Sequence, residues 1–160
     1  MKNIDRIHSK IISGDTLNRA LSIEKFKGKK LVFTNGCFDI LHRGHVQYLM
    51  QAADLGEILV IGLNSDASVK QLKGDSRPIQ DENTRAEILA SLSFVSYVVI
   101  FEEETPYNLI NQVQPDILVK GGDYVIEKIV GYDIVTSRGG KVLTIPFVEG
   151  HSTTSIISRI

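Results

Sequence analysis

Apolar residues in this chain fall in short runs, separated by stretches where they recur three or four positions apart. Leu31-Val32-Phe33-Thr34 is such a run, and Val46, Leu49, Met50 and Ala53 follow at one-face spacing. That pair predicts a strand and then a helix over His45–Leu55, which Gly56 stops. Ile58-Leu59-Val60-Ile61-Gly62-Leu63 is apolar without alternation, as a strand covered on both faces should be. The polar stretch from Lys70 to Pro78 has no periodicity and reads as a loop. Asp81 is placed to cap a helix running to about Leu92, with Ala86, Ile88, Leu89 and Leu92 inward. Val95–Phe101 reads as a third strand. Thr105-Pro106 reads as an N-cap with proline at the first helical position, opening a helix to about Val113. Asp116–Val119 is a fourth strand, Tyr132–Ser137 a short helix leading to Gly139-Gly140, and Lys141–Pro146 a fifth strand. Ser152 or Thr153 then caps a last helix. Residues 1–28 form a helical lead-in, with Ile11, Ile12, Leu17, Leu21 and Ile23 as its apolar contacts, ahead of a main domain over 29–160.

Repeated strand–helix units predict an α/β fold, a Rossmann-like doubly wound sheet of five parallel strands in a single domain. Ligands of such sheets bind beyond the carboxyl ends of the strands. Four conspicuous segments fall there: Thr34–His45, Asn64-Ser65-Asp66, Lys120–Tyr124 and Gly150–Ser155. Composition adds bounds. The 160 residues suit one full-sized core, and 42% hydrophobic with 23% charged content is ordinary for a globular chain. A net charge of −1 argues against a general nucleic-acid or anionic-membrane binder, so any anion site must be built locally. One cysteine, Cys37, excludes an intrachain disulfide. No apolar run approaches the roughly 18 residues of a membrane span. The polar start Met1–Arg6 is unlike a signal peptide, and a cytoplasmic protein is expected.

The chemistry concentrates in Thr34-Asn35-Gly36-Cys37-Phe38-Asp39-Ile40-Leu41-His42-Arg43-Gly44-His45. Two histidines, three residues apart, sit where a strand ends and a helix begins. Free backbone N–H groups and the positive end of the helix dipole attract phosphate there, and two imidazoles on one face add N–H donors. Cys37, His42 and His45 could instead ligate zinc, but no second cysteine supports that reading. Packing histidines are the bland alternative. Gly44 argues against it, because glycine lets a ligand approach the backbone closely. Cys37 and Phe38 read mainly as packing, and Asp39 as a brace for the loop.

The segment Asn35–His45 resembles the His-x-Gly-His signature of the cytidylyltransferase-like nucleotidyltransferases. Lys120-Gly121-Gly122-Asp123-Tyr124 and Glu149–Ile157 resemble the family's later nucleotide-binding segments. Phe-Thr-Asn-Gly-Cys-Phe-Asp and Val-Lys-Gly-Gly-Asp-Tyr look most like the sugar-phosphate adenylyltransferases that make ADP-heptose. Glycerol-3-phosphate cytidylyltransferases are the competing branch, but usually carry Arg-Thr-Glu-Gly where this chain has Phe147-Val148-Glu149-Gly150. The resemblance implies transfer of AMP from ATP, accompanied by Mg²⁺, to D-glycero-β-D-manno-heptose 1-phosphate, giving ADP-heptose and pyrophosphate. The product would feed a lipopolysaccharide core or another surface glycan.

By the same resemblance His42 and His45 donate to the reacting phosphate, and Lys73 and Arg85 assist it. The nucleotide site would draw on Thr34, Asn35, Gly36, Cys37, Phe38, Asp39 and Gly44 in the first segment. Lys120, Gly122, Asp123 and Tyr124 would serve in the second, and Ser152, Thr153 and Thr154 in the third. The bland readings stand beside these: Lys73 as a solvated lysine, Arg85 as a surface charge beside Glu87, Arg77 as either, and Ser152–Thr154 as helix caps. No metal ligand among the side chains is expected. The resemblance also implies a homodimer and, because the module is often fused to a sugar kinase, a separate heptose kinase here. A cytidylyltransferase acting on a small alcohol phosphate and a non-catalytic nucleotide-binding regulator are the alternatives.

Overall fold

In the computed structural model, which describes residues 1–160, five parallel strands form one sheet. They are β1 (Leu31–Gly36), β2 (Ile58–Asn64), β3 (Tyr97–Phe101), β4 (Ile117–Gly121) and β5 (Lys141–Ile145). The spatial order is β3-β2-β1-β4-β5, so the chain reverses direction across the sheet between β1 and β4. Eight helices accompany them: α1 (Asn3–His8), α2 (Gly14–Phe26), α3 (Arg43–Ala53), α4 (Asp66–Lys73), α5 (Glu82–Ser91), α6 (Tyr107–Val113), α7 (Tyr132–Ser137) and α8 (Thr153–Ile157). This is the expected α/β, Rossmann-like arrangement.

The unbroken apolar strands follow from burial on both faces. In β1, Leu31 and Phe33 enter one core with Leu17, Leu21, Ile110 and Val135, while Val32 points to the other core with Leu49, Ala52, Ala86 and Leu89. Strand β2 alternates likewise, Ile58 and Val60 on the first side, Leu59, Ile61 and Leu63 on the second. Neither face meets water, so neither needs polar residues.

The lead-in joins the two layers. Ile7 of α1 packs on the second core, and Leu17 and Leu21 of α2 are buried in the first. Between them residues 10–12 cross the edge of β3: Val98 N–H donates to the Lys10 carbonyl at 2.8 Å, and Ile12 N–H to the Val98 carbonyl at 3.0 Å. Ile23, expected inward, is exposed instead.

Other departures from the sequence pattern are local. The stretch read as a loop from Lys70 is partly α4, with Lys73 as its last residue. That helix buries only Ser68 and Val69, so it has no apolar stripe to read; Ser65 starts it by accepting the Ser68 N–H. Helix α3 begins at Arg43, before His45, because His42 supplies the cap. Thr105 makes no cap, and Pro106 itself occupies the N-cap position of α6. Val95 is buried in a turn ahead of β3.

Candidate active site

At the carboxyl edge of the sheet, β1 runs out at Gly36 into a turn where Phe38 takes a left-handed φ of 43° and is buried. The turn delivers His42 to the N-cap of α3. Its Nδ1 accepts the His45 N–H at 3.4 Å, a long cap bond. An accepting Nδ1 carries no proton, so the neutral ring bears its hydrogen on Nε2, free to donate. The His42 and His45 rings stack, centroids 3.7 Å apart and 23° from parallel, and the Phe38 ring meets His45 edge-on at 5.2 Å. Gly44 is required here for a reason other than ligand approach. A Cβ on it would lie 3.0 Å from the His42 ring and 3.2 Å from the His151 Cβ. The glycine thus lets three histidines converge.

The pair is held neutral. Burial, then the His42 ring beside it, pull His45 down to about 4, although the Ile40 carbonyl pulls the other way. Burial and then His151 lower His42. The sign of the pH effect follows. An unfolded histidine titrates near 6.5, so on acidification the unfolded chain takes up the proton first. The His45 contribution to stability is whole above about pH 6.5 and is lost between there and about 4. Unscreened, the loss is on the order of 3 kcal/mol, and the ring's partial exposure reduces it to about half that. Urea unfolding at pH 7 and pH 4.5 should therefore show a larger acid loss in the wild type than in His45→Gln; equal losses would place the sensitivity elsewhere.

A cleft of about 820 Å³ opens over these rings and runs across the strand ends. Lys73, Arg77, Lys120 and Lys128 line it, against the carboxylates of Asp39 and Glu104. Asp39 is already neutralised. It is 1% exposed and accepts from Arg77 Nε at 2.6 Å and from the Ile79 and Gln80 N–H groups at 2.9 Å. Burial pushes its carboxyl up, but the Gln80 and Ile79 bonds and Arg77 together hold it below the usual range. Only Nε of Arg77 is so engaged. The cleft is therefore cationic in a chain whose net charge is −1. Across from the histidines, Ser152 caps α8 by accepting the Ser155 N–H, while the hydroxyls of Thr153 and Thr154 make no bond within the protein. Asn35, Gly36, Cys37, Phe38, Asp39, Gly44, Lys120 and Tyr124 also line it. Lys120 Nζ lies 5.7 Å from the Tyr124 ring centroid, and burial lowers its pKa. Burial likewise pushes the Cys37 thiol up, away from thiolate chemistry.

Four expected residues stand elsewhere. Arg85 is no surface charge and lies outside the cleft lining: 1% exposed, it donates through Nη1 to the Cys37 and Asn64 carbonyls, through Nε to Gln80 and through Nη2 to Asp66. Thr34 is fully buried, its hydroxyl 2.6 Å from that of Tyr48, which in turn donates to the Val119 carbonyl. Burial pushes Tyr48 up to about 12. Gly122 and Asp123 lie outside the lining, although Gly121 belongs to it. Several lining residues escaped sequence reasoning, among them Glu104 and Lys128 at the far end of the cleft and Tyr48, His151 and Phe147 near the histidines. Tyr48 shares an α3 face with His45 three positions away, which was a usable signal. His151 sits inside the Glu149–Ile157 segment. Phe147, largely exposed, lies so close to Gly121 and Gly122 that a Cβ on either would meet its ring within 2.8 Å, and nothing in the sequence marks that contact. No group of three or more His, Cys, Asp or Glu side chains is arranged to hold a metal.

A bifunctional protein HldE from Syntrophotalea carbinolica is 57% identical over 152 residues, covering 95% of this chain and 31% of that protein. Its namesake from Geobacter metallireducens is 56% identical with the same coverage. The chain thus spans about a third of the length of these relatives. A solved lipopolysaccharide core biosynthesis protein from Thermoplasma volcanium superposes with a TM-score of 0.63 at 29% identity, covering 78% of this chain and all of that one. The cytidylyltransferase-like family model matches residues 33–159. With the paired histidines at the first strand–helix turn and this match over most of its length, the chain belongs to the cytidylyltransferase-like family.

Proposed function

We propose that this chain is a nucleotidyltransferase that joins AMP from ATP to D-glycero-β-D-manno-heptose 1-phosphate, releasing pyrophosphate. The stacked, neutral His42–His45 pair facing a cationic cleft carries the reading. A phosphate oxygen of the sugar attacks the α-phosphorus of ATP, and the bond from that phosphorus to the bridging oxygen of the β-phosphate breaks. The nucleophile is already an anion, so the protein need not remove a proton from it. What remains is to place two polyanions side by side and to hold N–H donors where charge grows. Nε2 of His42 and the cleft-facing nitrogen of His45 do this from fixed positions. Lys73, the free nitrogens of Arg77 and the Thr153 and Thr154 hydroxyls offset the charge of the triphosphate. Mg²⁺ would accompany ATP as part of the substrate and would help offset the charge of the triphosphate. The identity with the HldE proteins and the Phe147–Gly150 sequence in place of Arg-Thr-Glu-Gly support the adenylyl branch. A sugar kinase would supply the acceptor. Residues 29–160 carry the chemistry in this reading, with 1–28 bracing the sheet.

The test is pyrophosphate release with Mg²⁺, crossing ATP, CTP and GTP against heptose 1-phosphate and glycerol 3-phosphate. Release confined to ATP with heptose 1-phosphate is the expected result. Release with CTP and glycerol 3-phosphate would move the chain to the cytidylyl branch. Nucleotide binding without release from any pair would favour a regulatory module.

A further inference from the structure

The cleft continues past the histidines to the opposite face of the sheet, where its lining changes character. There Glu104, Thr105 and Pro106, on the loop from β3 to α6, share it with Lys128, Ile129 and Val130, which follow β4. The Glu104 carboxylate, the Thr105 hydroxyl and the Lys128 ammonium make no hydrogen bond or ion pair within the protein. The two loops are nonetheless fixed to each other. The Tyr107 hydroxyl, at the start of α6, donates to the Asp133 carboxylate at 2.8 Å, at the start of α7. Gly131, with φ 90°, seats the second loop on α6, and a Cβ there would lie 2.7 Å from Ile110. Unpaired polar groups on a braced frame are donors and acceptors waiting for a partner.

We propose that Glu104 and Lys128, with Thr105, select the sugar of the acceptor, a polyhydroxylated sugar phosphate; the inference rests on the function proposed above. The rest of the cleft is chemically committed to other work. The histidines, Lys73 and the Thr153 and Thr154 hydroxyls suit phosphate, and the exposed Phe147 ring over the Gly121–Gly122 backbone suits a flat base. A sugar ring asks for what the far end offers. Its hydroxyls donate to a carboxylate and accept from an ammonium, and its C–H face rests on Pro106, Ile129 and Val130. An anionic side chain at that end also disfavours a second polyphosphate, which keeps ATP in its own half.

Steady-state kinetics with MgATP and heptose 1-phosphate, on the wild type and on Glu104→Gln and Lys128→Met, test this. Each variant should raise KM for heptose 1-phosphate roughly tenfold or more and leave KM for ATP within about twofold. Glu104→Gln should also narrow the preference for heptose 1-phosphate over mannose 1-phosphate. Calorimetric ATP affinity equal to that of the wild type would show an intact fold and nucleotide site, since Glu104, Thr105 and Lys128 are exposed. An unchanged KM for the sugar phosphate in both variants, or a rise in KM for ATP instead, overturns the assignment while the enzyme's function stands. A wild type that turns over neither sugar phosphate overturns the function first, and the assignment with it.

Discussion

His45→Ala is expected to slow the proposed reaction of MgATP with heptose 1-phosphate by about a hundredfold, on the order of 3 kcal/mol of transition-state stabilisation. The size follows from how the ring is held. Stacking on His42 and the edge of Phe38 fix its plane, and its Nδ1 is buried without a hydrogen bond of good geometry. The other nitrogen is left for the cleft. A donor fixed before the reaction begins needs no reorganisation when charge grows on the phosphoryl oxygens, and alanine leaves nothing in its place. The loss should appear mainly in kcat, with KM for ATP changing less, because Lys73, Arg77 and the Thr153 and Thr154 hydroxyls still line the site. Glutamine carries an N–H to a similar reach and should recover part of the rate. Pyrophosphate release measures all three proteins; a fall of less than about threefold in the alanine variant would remove His45 from this role.

Arg85→Met should produce the largest change in stability, a loss of about 3–5 kcal/mol. Arg85 is the hub of the site's support. Its guanidinium joins the turn after β1 through the Cys37 carbonyl, the end of β2 through Asn64, the start of α4 through Asp66 and the approach to α5 through Gln80. Methionine preserves most of the buried volume but leaves three carbonyls and a carboxylate without their donor. Arg85→Lys should recover little, since one ammonium cannot span the four acceptors that a planar fork reaches. Thermal melts of the three proteins decide it. At roughly 2–4 °C per kcal/mol for a chain of this size, the methionine variant should melt about 10 °C lower. A shift under about 2 °C would mean that these bonds contribute nothing net.

The fate of Arg85 shows where sequence reading reached its limit. Strand and helix periods are local, so the five strands and the Tyr132–Ser137 helix could be read directly, as could Asp81 as a cap. The convergence of the motif segments on one edge was legible too, because doubly wound sheets leave only one place for motifs at strand ends. Two kinds of feature were not legible. Helix α4 buries too few apolar residues to leave a period. And the direction of a long polar side chain depends on what surrounds it in space: Arg85 and Glu87 sit two positions apart on one helix, one sealed and one exposed. The same limit applies to Asp39, whose partners Arg77, Ile79 and Gln80 lie about forty residues away.

The strap formed by residues 10–12 has a consequence for how the molecule behaves in company. Strand β3 ends the sheet, and an uncovered parallel edge of Tyr97-Val98-Val99-Ile100-Phe101 would offer bare amide and carbonyl groups along one of the most apolar segments of the chain. By crossing that edge, the Lys10 carbonyl and Ile12 amide take up both backbone groups of Val98, in the middle of the ladder that another strand would need. Removal of residues 1–12 should therefore be felt first in the test tube as turbidity, concentration-dependent and measurable by light scattering, before any loss of catalysis. A sheet left with that edge bare would be open to pairing with the sheet of a second molecule.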